Sequence, residues 1–167
     1  RGLKDLVRAR GEALPFQTDS FDAVVALDVF EHIEDDAAAL GEAWRILKPG
    51  GSLILSVPAF MSLWGPHDVA LMHFRRYRTP ELRQRLTEAG FASAKISYSV
   101  FFLFPLVWLI RLFEKRRTGD AEASLPAVPR WLNGALIALQ ALEAALIRRI
   151  NLPWGSSLVA VARKGRP

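Results

Sequence analysis

The chain has 167 residues, 51% of them hydrophobic, which is enough for one ordinary domain with a packed core and excludes a disordered chain. It has no cysteine, so disulfides and thiolate metal sites are excluded as well. The formal charge is +5, gathered at Arg75, Arg76 and Arg78, at Lys115, Arg116 and Arg117, at Arg148 and Arg149, and at Arg163, Lys164 and Arg166. Such clusters suit an anionic surface or substrate, and solvated helix faces account for them equally well.

In chain order, residues 6–10 read as a short strand before the turn-like stretch GEALPF. Residues 21–29, FDAVVALDV, are apolar and β-branched on both parities, which predicts a strand covered on both faces. Residues 35–47 follow as a helix. Asp35 or Asp36 caps it, and Leu40, Trp44 and Leu47 recur at helical spacing. KPGG, residues 48–51, suits a type II turn in which Gly50 takes the positive φ. Residues 52–57, SLILSV, form the next strand, ended by Pro58. Strand, helix, turn and strand make one crossover unit, whose expected product is a parallel pair.

A second unit begins at Thr79, read as an N-cap with Pro80 at the first helical position, and Gly90 stops its helix. Residues 94–100 alternate like a half-buried strand, and residues 157–163 form a last strand. Between them, FFLFPLVWLIRLF at 101–113 is too short to count as a membrane span. Residues 131–150 form an amphipathic helix with Leu132, Leu136, Leu139, Leu142, Leu146 and Ile150 on one face. Glu143 falls on that face and needs a partner, for which Arg111 is the expected mate. Residues 118–130 are the linker. The whole is expected to be a helical hairpin, either a buried cap or one that also touches an anionic membrane surface.

The pieces ALPF, SFD, DVFEH, RILKPGG and SVP, in this order and spacing over residues 13–58, resemble the C-terminal half of a class I S-adenosylmethionine-dependent methyltransferase. Residues 67–91, HDVALMHFRRYRTPELRQRLTEAGF, are similar to a subgroup often associated with small-molecule or lipid-like acceptors. The resemblance implies an α/β fold, a Rossmann-like sheet of mostly parallel strands with an antiparallel last strand. It divides the chain into residues 1–100, a helical hairpin insertion at 101–150, and a final strand within 151–167. The family's glycine-rich loop and ribose-binding acid have no counterpart before Phe21, and Arg10 stands near a place often held by Asp. With no initiator Met either, the chain reads as a fragment whose N-terminal half is missing, expected to bind S-adenosylmethionine weakly or not at all on its own and to be inactive as it stands.

In open α/β sheets, ligands sit outside the carboxyl ends of the strands. The resemblance therefore places Leu27, Asp28, Val29 and His32 at the cofactor, with Glu12, Ala13 and Leu14 beside the adenine. Residues 34–36 are assigned to capping and solvating the helix start. The loop after SVP supplies the expected catalytic groups His67, His73 and Tyr77. Arg75 and Arg76 are expected to hold an anionic acceptor, with Trp64 beside it. A metal site from His67, Asp68 and His73 matches no template, so none is expected. The leading function is methyl transfer to a small-molecule or lipid-like acceptor. The rival is a non-catalytic methyltransferase-like module that binds a membrane surface or a protein partner. A nucleic-acid role is disfavoured, because the aromatic residues read as helix packing. The expected location is cytoplasmic, including the inner membrane face.

Overall fold

The computed structural model describes residues 5–114 and 129–166. The order is β1 (Phe21–Leu27), α1 (Asp36–Ile46), β2 (Leu47–Pro58), α2 (Pro66–Ala70), α3 (Thr79–Glu88), β3 (Phe91–Ser99), α4 (Phe104–Glu114), α5 (Arg130–Arg149) and β4 (Ser157–Lys164), with 3-10 turns at Phe30–His32 and Met61–Leu63. The sheet order is β1-β2-β4-β3. β1 and β2 are parallel, and β4 runs antiparallel to both β2 and β3. The predicted crossover and the antiparallel last strand are both present, and β1, β2 and β3 end at one edge.

Local sequence explains the joints. Asp35 is the N-cap of α1 and accepts from the Ala38 amide at 3.0 Å. Gly50 has φ +80, as the turn requires. The pairing jumps from Phe21↔Leu47 to Ala23↔Ser52, so KPGG is a bulge inside β2 and regular pairing begins at Ser52. Gly90 ends α3 with φ +95. Thr79 is the first helical residue and not the cap. Arg78 holds the N-cap position without a side-chain bond, and Pro80 needs no amide in that first turn.

Residues 6–10 form no strand. Arg10 makes only an isolated bridge with Ala13, because no neighbouring strand lies beside it among the described residues. The expected cover on both faces of β1 is half right. Its even residues point with Leu53, Leu55 and Val57 of β2 into a core completed by Leu40 of α1 and Leu82 and Leu86 of α3. On the other face, α5 covers only the β3 side. Lys95 Nζ donates to the Arg148 carbonyl and the Leu152 amide to Ser97 Oγ, both at 2.9 Å. Val25 stays 61% exposed and Leu27 60%.

Glu143 of α5 is buried, so its carboxylate requires partners. The partners are main-chain groups: Val100, Phe101 and Phe102 donate their amides to its two carboxylate oxygens at 2.5, 2.7 and 3.4 Å. Those amides belong to the turn that follows β3, so Glu143 ties α5 to the entry of α4. The basic cluster at 115–117 and most of the linker lie outside the described residues.

Candidate functional site

β1 ends at Leu27 and is followed by Asp28, which has φ +52, a left-handed bend that Asp tolerates better than most side chains. The bend is tied to the end of β2: the Asp28 amide donates to the Ser56 carbonyl at 3.0 Å and Ser56 Oγ donates to Asp28 Oδ1 at 3.0 Å. The chain then turns through Phe30–His32, which brings Glu31 and His32 to the carboxyl edge of the sheet. The segment after β2 returns over the same edge, held by the Phe74 amide on the Glu31 carbonyl at 2.7 Å and by paired bonds between Tyr77 and residues 58 and 60. Together these segments enclose a cavity of about 280 Å³. Its polar wall carries Asp28, Glu31, His32, His67, His73 and Arg76. Val107 and Arg111 of α4 close one side, so the first insertion helix lies over this edge.

The electrostatics are set by burial. Glu31 is 1% exposed, and burial, reinforced by the nearby Asp28 charge, pushes its carboxyl up to about 7. Its Oε2 receives no hydrogen bond from the described residues. Burial also holds the His73 imidazole below its usual value, although its Nδ1 lies 3.0 Å from Asp68 Oδ1. Asp68 is fully buried. Burial works to raise its pKa, but the Arg76 guanidinium at 2.7 Å and the Gly65 amide at 2.9 Å outweigh it and keep the carboxylate charged. His32 and His73 meet edge to face, with ring centroids 4.6 Å apart.

The structure gathers four of the residues named from sequence at this cavity besides Asp28: His32, His67, His73 and Arg76. Tyr77 lies in the core instead. Its phenol donates to Asp36 Oδ2 at 2.7 Å, and burial, then Asp36, push it above its ordinary value. Arg75 turns away to Asp36 at 2.6 Å and to the Glu34 carbonyl at 2.6 Å, and Arg76 is engaged by Asp68 and the Ala59 carbonyl. Both guanidiniums therefore brace the loop. Trp64 is half-buried and does not line the cavity. Val29 is exposed beside the bend, and Leu27 lines an apolar groove with Ile54 and Ile147 on the open sheet face. Glu12, Ala13 and Leu14 belong to a segment clamped onto α1. Glu42 accepts from the Leu14 amide at 2.8 Å, while Arg45 donates to the carbonyls of Leu14 and Phe16 at 3.0 and 2.8 Å.

Asp36, assigned to solvation, is instead a buried hub for Tyr77, Arg75 and Arg85. Glu31 is the site residue that local sequence does not mark. Its only signal is its place one residue before His32 and three after Asp28, at the strand end where ligands bind.

The Methyltransferase domain family matches residues 1–55. An uncharacterized methyltransferase of Mycobacterium leprae (strain Br4923) is 33% identical over 129 residues, covering 75% of this chain and 46% of the relative. One from Mycolicibacterium paratuberculosis is 37% identical over 126 residues, covering 75% and 48%. Among solved structures, a SAM-dependent methyltransferase of Thermotoga maritima superposes with TM-score 0.58 at 20% identity, over 95% of this chain and 62% of that one. Phosphoethanolamine N-methyltransferase 2 of Haemonchus contortus, in complex with S-adenosyl-L-methionine, gives 0.56 at 17% identity, over 94% and 36%. The chain spans about half the length of the curated relatives it matches.

Proposed function

We propose that this chain, a portion of a class I S-adenosylmethionine-dependent methyltransferase domain, builds the acceptor side of a site that methylates a small-molecule or lipid-like acceptor. The observation that carries the proposal is the cavity at the carboxyl edge of β1 and β2, with three imidazoles on its wall and α4 over it. The residues present fit part of the cofactor. The bend at Asp28 leaves Leu27 and Val29 as open apolar surface beside a carboxylate, which suits a ligand with an amino group on an apolar body. When bound, S-adenosylmethionine supplies a methyl group on a positively charged sulfur.

Methyl transfer needs position and dryness more than covalent help. Val107 lines the cavity from α4, and the braced loop keeps His67 and His73 in place. An oxygen or nitrogen acceptor gives up a proton as it is methylated, and these imidazoles are the groups placed to accept it. Val107→Trp in the full-length protein tests the assignment, because it fills the cavity from α4 and leaves Asp28 untouched. The acceptor KM should rise with S-adenosylmethionine affinity preserved. Unchanged kinetics with every accepted substrate would remove the acceptor from this cavity.

A membrane contact is favoured by a separate observation. α4 leaves Trp108 49% exposed beside exposed Leu106, Leu109 and Ile110, and α5 leaves Trp131 74% exposed. Among the described residues, no helix is long and apolar enough to cross a membrane. An apolar surface with Arg148 and Arg149 at the end of α5 suits the interface of an anionic bilayer. Co-sedimentation with anionic vesicles should weaken in high salt and with Trp108→Ser. Absence of binding to anionic and neutral vesicles alike would leave the helices as a structural cap.

A further inference from the structure

We propose that Glu31, His32 and His73 hold a divalent cation of the zinc class on the wall of this cavity. One ligand-capable atom from each lies within 4.8 Å of the others. Glu31 and His32 stand on the turn after β1, and His73 on the loop after α2. The Phe74 amide on the Glu31 carbonyl fixes the two stretches against each other.

Two observations point to a ligand there. First, Glu31 lines the cavity and is almost wholly buried, yet Oε2 receives no hydrogen bond from the described residues. A buried carboxylate oxygen without a partner is costly, and a cation beside it removes the cost. Second, His73 is oriented as a metal-bound imidazole is. Its Nδ1 faces Asp68, so the proton belongs on Nδ1 and Nε2 keeps its lone pair. Asp68 is in turn fixed by Arg76 and the Gly65 amide. The carboxylate behind the imidazole is therefore rigid, and it also neutralises the Arg76 charge that would otherwise repel a cation.

Two imidazole nitrogens and one carboxylate oxygen are the donors a borderline-soft divalent cation prefers, whereas Mg²⁺ favours oxygen throughout. Three protein ligands leave a further position open to the cavity. An oxygen atom of the acceptor bound there would be polarised, a consequence that rests on the acceptor reading above. Cation binding itself does not.

The test is calorimetric titration of chelator-treated full-length protein with Zn²⁺, with Mg²⁺ added in competition, and a parallel titration with Co²⁺ followed by visible absorption. One equivalent of Zn²⁺ should bind, and Co²⁺ should develop the bands of a site of low coordination number. His32 is exposed, so His32→Ala should fold and still lose affinity by roughly tenfold or more, as should Glu31→Gln. Asp68→Asn should cost roughly 10–100-fold through the His73 orientation. Displacement by equimolar Mg²⁺ would overturn the zinc-class assignment. No Zn²⁺ binding by the native protein, or affinity unchanged in both His32→Ala and Glu31→Gln, would overturn the site.

Discussion

His73→Ala in the full-length protein is expected to lower methyl transfer by on the order of a hundredfold or more, with S-adenosylmethionine affinity little changed. The expectation follows from where the imidazole sits. It faces the cavity from the loop side, while Asp28 lines it from the strand side. Asp68 fixes one ring nitrogen and leaves the other toward the cavity, so the group is preorganised whether it holds a proton or a cation. The loop should survive the substitution, because its backbone is pinned independently. The His73 amide donates to the Asp68 carbonyl at 2.9 Å, and the Phe74 amide reaches Glu31. Steady-state kinetics with a cofactor-binding titration separate the outcomes. An unchanged turnover number would return His73 to a structural role, and a matched loss of cofactor affinity would move it to the other side of the site.

Much of the sheet is legible because its signals are local. Gly50 and Gly90 sit where a positive φ is needed, Asp35 caps the helix its neighbours begin, and apolar runs mark the strands. The position of β4 follows from topology, since a strand returning from the carboxyl edge must run antiparallel. The site is legible only to the level of an edge. Glu31, Glu34, Asp35 and Asp36 are one acidic run in sequence, yet the structure exposes two and buries two. What decides their fates lies far along the chain, in Phe74, Tyr77, Arg75 and Arg85. Glu143 shows the same limit differently. Its apolar surroundings announce that it needs a partner, but a search among side chains finds Arg111, and the partners observed are backbone amides at 100–102. Arg111 lines the cavity at the carboxyl edge of the sheet. The open face of β1 is a third case. β-branched residues on both parities say that both faces can be buried, and only packing decides whether they are.

Asp36→Ala is expected to destabilise the fold by roughly 3–5 kcal/mol, the range for breaking a buried ion pair from one side. Asp36 is 2% exposed and accepts from Tyr77 at 2.7 Å, from Arg85 at 2.5 Å and from Arg75 at 2.6 Å. Removing it leaves two guanidiniums and a phenol facing each other without their anion. Arg85 is poorly placed to compensate, since its Nε is already buried without a partner among the described residues. Some relief comes from water, because the Arg75 and Arg85 side chains keep 21% and 29% of their surface, which points to the lower end of the range. Tyr77→Phe removes the phenol's contacts with Asp36 and the Phe30 carbonyl and leaves the cations paired, so it should cost roughly 1–2 kcal/mol. The same hub ties the loop that carries His73 to α1, so Asp36→Ala should also loosen the cavity wall. Urea unfolding gives the stabilities, and tryptic cleavage after Arg75 or Arg76 under native conditions reports the loop. A loss below about 1 kcal/mol for Asp36→Ala would mean that the hub is solvated enough to behave as a surface cluster.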